Sequence, residues 1–64
     1  MPSVSWKEIT IEYNSEFIHG NYKIADKTVI VKTVGGMKEA PLSGLVPLYL
    51  AKMLLRELAR EGKA

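Results

Sequence analysis

Residues 45–61, LVPLYLAKMLLRELARE, form the only long helical pattern in the chain, and they constrain what everything before them must do. Leu, Ala, Lys, Met, Arg and Glu dominate the stretch, all of them good helix formers. No Gly or β-branched residue interrupts it after Pro47. Pro47 suits a first helical turn, where a missing N–H costs nothing. A helix is therefore expected over about 46–61, starting at Val46 or Pro47. Ser43 would serve as N-cap only for a start as early as Gly44, and Gly62 stands where a C-terminal stop belongs.

Project these residues at about 100° per step, as roughly 3.6 residues per turn require. Leu48, Leu50, Ala51, Leu54, Leu55, Leu58 and Ala59 then cover an arc of about 180°. A helix lying on a sheet needs a stripe of only about 100° or slightly more. The opposite side carries Lys52, Arg56 and Arg60 at i, i+4 and i+8, with Tyr49 and Met53 between them. An apolar arc wider than one small sheet covers implies a partner, and the simplest partner is a second copy.

Chain length points the same way. Ordering 64 residues costs about 1.5 kcal/mol each, which apolar burial only just offsets, so small domains add disulfides, a metal or oligomerisation. The chain has no Cys, which rules out disulfides and thiolate zinc sites, and its single histidine, His19, cannot build a typical metal cluster. Oligomerisation is what remains. A homodimer is expected, with Leu48, Leu50, Leu54, Leu55 and Leu58 as its interface, and neither a cofactor nor a metal site. Residues 1–10 lack the apolar core of a signal peptide, and the run 45–55 is too short for a bilayer and contains Lys52. A cytoplasmic location without a membrane span is the expectation. A net charge of +2, with both signs spread along the chain, gives no nucleic-acid tail, and 47% apolar residues argue against disorder.

Upstream of the helix the period changes to two. Residues 1–5 read as a loose end, and Trp6 as an anchor at or beside the core. Ile9, Ile11 and Tyr13 alternate with Glu8, Thr10 and Glu12, predicting a strand over about 8–14. After the turn residues Asn14-Ser15-Glu16, Ile18, Gly20, Tyr22 and Ile24 alternate with Phe17, His19, Asn21 and Lys23, predicting a second strand over 17–25. Gly20 marks a bulge or a close backbone approach. Ala25-Asp26-Lys27 forms the next turn. Residues 28–34 are β-branched at six of seven positions and read as the third strand. Val29 and Val31 would face the helix with Thr33 beside them, leaving Ile30 and Val34 on the other face near Phe17. Short links predict an antiparallel meander. Residues 35–44, GGMKEAPLSG, show no period and read as a long loop, a natural hinge for helix exchange between copies.

Motifs for chemistry are weak. Gly35-Gly36 followed by Lys38 lacks the spacing of a phosphate-binding loop. His19 falls on the exterior strand face beside Thr10, Glu12 and Ile30 or Lys32, with no nucleophile in view, since Ser3, Ser5, Ser15 and Ser43 look like turn or terminal serines. No enzyme is expected. Lys52, Arg56 and Arg60 suit a solvated helix face, helped by cations near a helix C-terminus, or else phosphate contacts. Tyr49 and Met53 among them suit a partner-binding groove, because Tyr, Met and Arg are enriched at interfaces.

Three strands followed by a helix resemble, in element order, the plant ethylene-response DNA-binding domain and the amino-terminal arm of some integrases. Glu8 and Glu12 beside Lys23 and Lys32 fit a phosphate backbone poorly. More of the chain resembles a family of small uncharacterised bacterial proteins. The segments that carry this are Trp6 with Ile9-Thr10-Ile11, Gly20-Asn21-Tyr22, Thr28-Val29-Ile30-Val31, Gly35-Gly36-Met37-Lys38 and Leu54-Leu55-Arg56-Glu57-Leu58-Ala59. That resemblance implies a domain-swapped homodimer and supplies no catalytic or binding residues.

The expected architecture is α+β: a three-stranded antiparallel meander followed by one long C-terminal helix. The expected function is that of a non-enzymatic homodimeric protein-interaction module. The alternative is a nucleic-acid-binding accessory protein using Lys52, Arg56 and Arg60, with Tyr49 and Met53 alongside.

Overall fold

The computed structural model describes residues 6–64, so the expectation for residues 1–5 lies outside the described residues. Strands β1 (Lys7–Tyr13), β2 (Glu16–Ala25), β3 (Thr28–Lys32) and β4 (Met37–Pro41) precede a single helix, α1 (Pro47–Arg60). The strands form one sheet in the order β1-β2-β3-β4, and each neighbouring pair is antiparallel. The fold is α+β with a C-terminal helix, as the periodicity predicts, but the meander has four strands rather than three.

The first two hairpins are set by two-residue turns. Asn14 and Ser15 take φ of 54° and 65°, and Asp26 and Lys27 take 54° and 60°. Positive φ at both central residues is the type I′ geometry whose twist matches that of paired strands. Asn and Asp tolerate it because their short polar side chains bond locally. The register then runs unbroken from Tyr13↔Glu16 to Lys7↔Tyr22, and from Ala25↔Thr28 to Asn21↔Lys32.

The third hairpin corrects the reading of residues 35–44 as loop. Residues 33–36 are the turn, closed by Thr33 N–H donating to the Gly36 carbonyl at 2.8 Å, and residues 37–41 pair with β3 from Lys32↔Met37 to Thr28↔Pro41. The expected third strand therefore ends at Lys32 rather than Val34. Strand β4 has no hydrophobic alternation because it is an edge. Opposite Val31 and Val29 it sets Lys38 and Ala40, neither of which signals a strand. The link to the helix shrinks to residues 42–46, where Ser43 and Gly44 have φ of 49° and 83° and Leu45 N–H donates to the Leu42 carbonyl.

Helix α1 starts at Pro47 with Val46 as a cap that makes no side-chain hydrogen bond. It ends as Gly62 predicts. Gly62 has φ of 76°, its N–H donates to the Ala59 carbonyl, and Lys63 N–H donates to the Leu58 carbonyl. This is the Schellman pattern, which satisfies the last carbonyls of the helix.

One sheet face and one helix face make the core. The sheet contributes Ile9, Tyr22, Val29 and Val31, and the helix contributes Leu50, Ala51, Leu54, Leu55 and Leu58. Val29 and Val31 face the helix as expected. Trp6 does not join the core: it lies half-buried on the opposite face, with the Lys23 and Lys32 ammonium groups 4.7 and 4.4 Å from its ring centroid. Ile30 and Phe17 are also separated on that face, Ile30 between Lys23 and Glu39, and Phe17 opposite Glu12.

Gly20 is a close approach and not a bulge, since Ile9↔Gly20 sits within a continuous register. A Cβ there would stand 2.8 Å from Leu55 Cδ1, and Leu55 is fully buried. Gly20→Ala should destabilise the fold by about 1–3 kcal/mol through overpacking, and Leu55→Ala by about 2–5 kcal/mol through the cavity it leaves. The double variant should cost less than the sum, because each change relieves the other. Urea unfolding of the three variants checks this, and strict additivity would contradict the close approach.

Candidate functional site

The helix reaches the sheet with its leucine face, so its two flanks decide what stays open. Tyr49, Lys52, Met53 and Arg56 recur at i, i+3, i+4 and i+7 on one flank. They meet Ile11 and Glu12 of β1 along a groove of about 320 Å³. Tyr49 is 59% exposed and Met53 40% exposed, although both are large apolar side chains. The Arg56 guanidinium carbon lies 5.9 Å from the Tyr13 ring centroid, a cation–π contact that ties the helix to the end of β1. Four of the five sequence-predicted partner contacts are thus brought together. Arg60 is exposed one turn farther on and does not line the groove.

The expected dimer residues are distributed differently. Leu50, Leu54, Leu55 and Leu58 are buried against the chain's own sheet, and Leu48 is 43% exposed. Strand β4 adds a fourth strand under the helix, with Lys38 and Ala40 on the helix-facing side. The sheet covers the centre of the arc, Leu48 near its margin stays exposed, and Tyr49 and Met53 beyond that margin are exposed as well.

Charges divide the two flanks of the helix. On the β4 side, Lys38 reaches up from the sheet to Glu57 at 3.4 Å and to Glu61. The Glu61 hydrogen bond raises the Lys38 pKa above the ordinary lysine range, and the same bond holds the Glu61 carboxyl below the ordinary carboxylate range. On the β1 side, Lys52 and Arg56 have no carboxylate within ion-pair distance among the described residues. The groove flank therefore carries net positive charge that the fold does not neutralise.

Two other candidates are absorbed by structure. The Gly35 and Gly36 amides both donate to Thr33 Oγ1 at 3.2 Å, and the Thr33 hydroxyl donates to the Lys63 carbonyl. A Cβ on Gly35 would fall 2.7 Å from that same Lys63 carbonyl oxygen. These glycines make room for the residue after the helix stop, and no phosphate cradle is left. His19 sits opposite Thr10, whose hydroxyl oxygen lies 3.1 Å from His19 Nδ1, in an open concavity of the outer face with Glu8, Asn21 and Lys32. No cluster of three His, Asp or Glu side chains suited to a metal occurs among the described residues. Nor is any helix there long and apolar enough to cross a membrane.

No family model, curated protein or solved structure matches the chain.

The Lys38 clamp gives a pH dependence of definite sign. Glu61 has a lowered folded pKa, so its contribution is present above the ordinary value of 4.5 and is lost as pH falls through the folded value. Lys38 has a raised folded pKa, so its contribution is whole below the ordinary 10.5 and is lost as pH rises through the folded value. Glu61→Gln should lower the thermal midpoint slightly at pH 7, and the gap from the parent should close on acidification below about pH 4.5. Thermal scans across pH check this. A gap that persists at pH 3 would mean that Glu61 acts through packing rather than charge.

Proposed function

We propose that this protein is a small non-enzymatic protein-interaction module that receives another polypeptide in the α1–β1 groove. The observation carrying this reading is the exposure of Tyr49 and Met53 beside Ile11, between Lys52 and Arg56, which make no ion pair although Glu12 stands on the same rim. Large apolar side chains exposed together in a concave, polar-rimmed surface mark docking sites. Tyr and Arg dominate interface energetics, and Met adapts its shape to a partner at small cost. In this reading Thr10 and His19 are a cross-strand pair, and the helix leucines belong to the core.

Selection of a displayed random-peptide library on the full chain tests the proposal. Binders should emerge that lose at least about tenfold in affinity, close to 1.4 kcal/mol, on Tyr49→Glu or Met53→Glu. Both positions are exposed enough for the variants to fold, which circular dichroism and a thermal scan would verify. A library that yields no binder, or binders indifferent to both changes, would refute the groove.

A homodimer through the same flank is the second reading, favoured by the exposure of Leu48 next to Tyr49. It requires a solution mass of twice 7.1 kDa that Leu48→Glu returns to one chain. The phosphate reading of Lys52, Arg56 and Arg60 requires nucleic-acid binding at about 50 mM salt that weakens steeply as salt rises. Glu12 at the groove rim counts against it.

A further inference from the structure

Strand β1 forms one wall of the groove and is also an open edge of the sheet, since the strand order ends on β1 and β4. The two edges are unequal. Strand β4 has five residues, ends in Pro41 and has its inward Lys38 committed to Glu57 and Glu61. A terminal proline and a short length are devices that blunt an edge. Strand β1 has seven residues, KEITIEY, without Pro or Gly. It has no strand partner on its outer side among the described residues. Its outward N–H and C=O groups are a template for another strand.

Resting on the groove reading above, we propose that the occupant is an extended peptide segment of another protein, added to β1 as a fifth strand with its apolar or acidic residues toward the groove. Side chains of an added strand alternate between the two faces of the sheet. One set would enter the groove beside Ile11, Tyr49 and Met53, where apolar residues fit, and beside Lys52 and Arg56, where Asp or Glu fits. The other set would lie over the outer face beside Glu8, Thr10 and Glu12, where Lys, Arg or Thr fits. The recognised pattern is an alternation of apolar or acidic residues with basic or hydroxyl residues. Backbone pairing would supply affinity and the alternate pockets selectivity.

Charge also weighs against a second copy paired on this edge about its centre. Two β1 strands paired about Thr10 would set Glu8 against Glu12 twice, and like charges directly opposite destabilise a sheet pair. They would also bring two copies of Lys52 and Arg56 to one side. Strand β4 of another copy would offer Lys38 and Pro41, which suit neither the groove charge nor the ladder.

The experiment takes the library binders that depend on Tyr49 and Met53. Their sequences should show the alternation, and N-methylation of a central backbone amide that pairs with β1 should weaken binding at least tenfold. Exchanging their acidic residues for Lys should cost a similar factor, and Arg56→Glu should recover it. Amide hydrogen exchange of the full chain should show outward-facing amides of β1 becoming protected on binding, while those of β4 stay unchanged. Groove-dependent binders that tolerate N-methylation at every position, or that carry Lys or Arg rather than apolar or acidic residues in the set facing the groove, would overturn strand addition while leaving the groove reading intact. Protection of β1 in the peptide-free chain together with a doubled solution mass would overturn it in favour of self-pairing. If no binder depends on Tyr49 or Met53, both proposals fall together.

Discussion

The seating of the helix on the sheet depends on one contact, Leu55 lying over Gly20 where no side chain intervenes. The leucine is fully buried, and Val29, Val31 and Leu58 share that condition. Burying such a side chain is worth about 1.5–3 kcal/mol, and few residues in a chain of this size are buried so completely. Gly20 lets the helix approach the sheet closely, and the closeness fixes how far α1 can rotate about its axis. Once the leucine arc is set down, Tyr49, Lys52, Met53 and Arg56 must fall on the flank over β1, and Glu57 and Glu61 on the flank over β4. The groove and the clamp follow from that contact.

The strongly periodic parts of the fold were legible in the sequence. Strands β1 and β2 alternate cleanly, β3 is β-branched, and α1 has both its Pro47 start and its Gly62 stop. Strand β4 was not legible, for a physical reason. An edge strand under the margin of a helix needs little apolar surface, so Lys38 can point inward with its stem covered and its charge paired to Glu57 and Glu61. Ala40 and Pro41 then read as loop. The signal that was available is Gly35-Gly36, which marks a turn directly after a β-branched run, followed by enough residues to return along β3. Trp6 misled for a different reason: hydrophobic bulk suggested the core, whereas its parity with Glu8 sets it on the outer face between Lys23 and Lys32.

The candidate site was half legible. Helical spacing grouped Tyr49, Lys52, Met53 and Arg56 without any structure, because residues three and four apart share a face. The other wall of the groove was not accessible in this way. A meander puts β1 at an edge, but which flank of the helix lies over that edge depends on how the helix is rotated on the sheet. The width of the helix arc was a sound observation, and Leu48 near its margin is the part the sheet leaves exposed.

The sequential strand order carries a kinetic consequence. Every strand pairs with its neighbour in sequence, and two of the three reversals are two-residue turns. Loop closure for these hairpins spans few residues, and hairpins of that kind form in microseconds. The contacts that bridge long stretches of chain are those of α1 with the first two strands. The slow step expected of such a topology is the arrival of the helix on a sheet already in register. Until then the apolar face of the sheet lies open to water, and the length of time it stays open sets the chain's exposure to aggregation during synthesis.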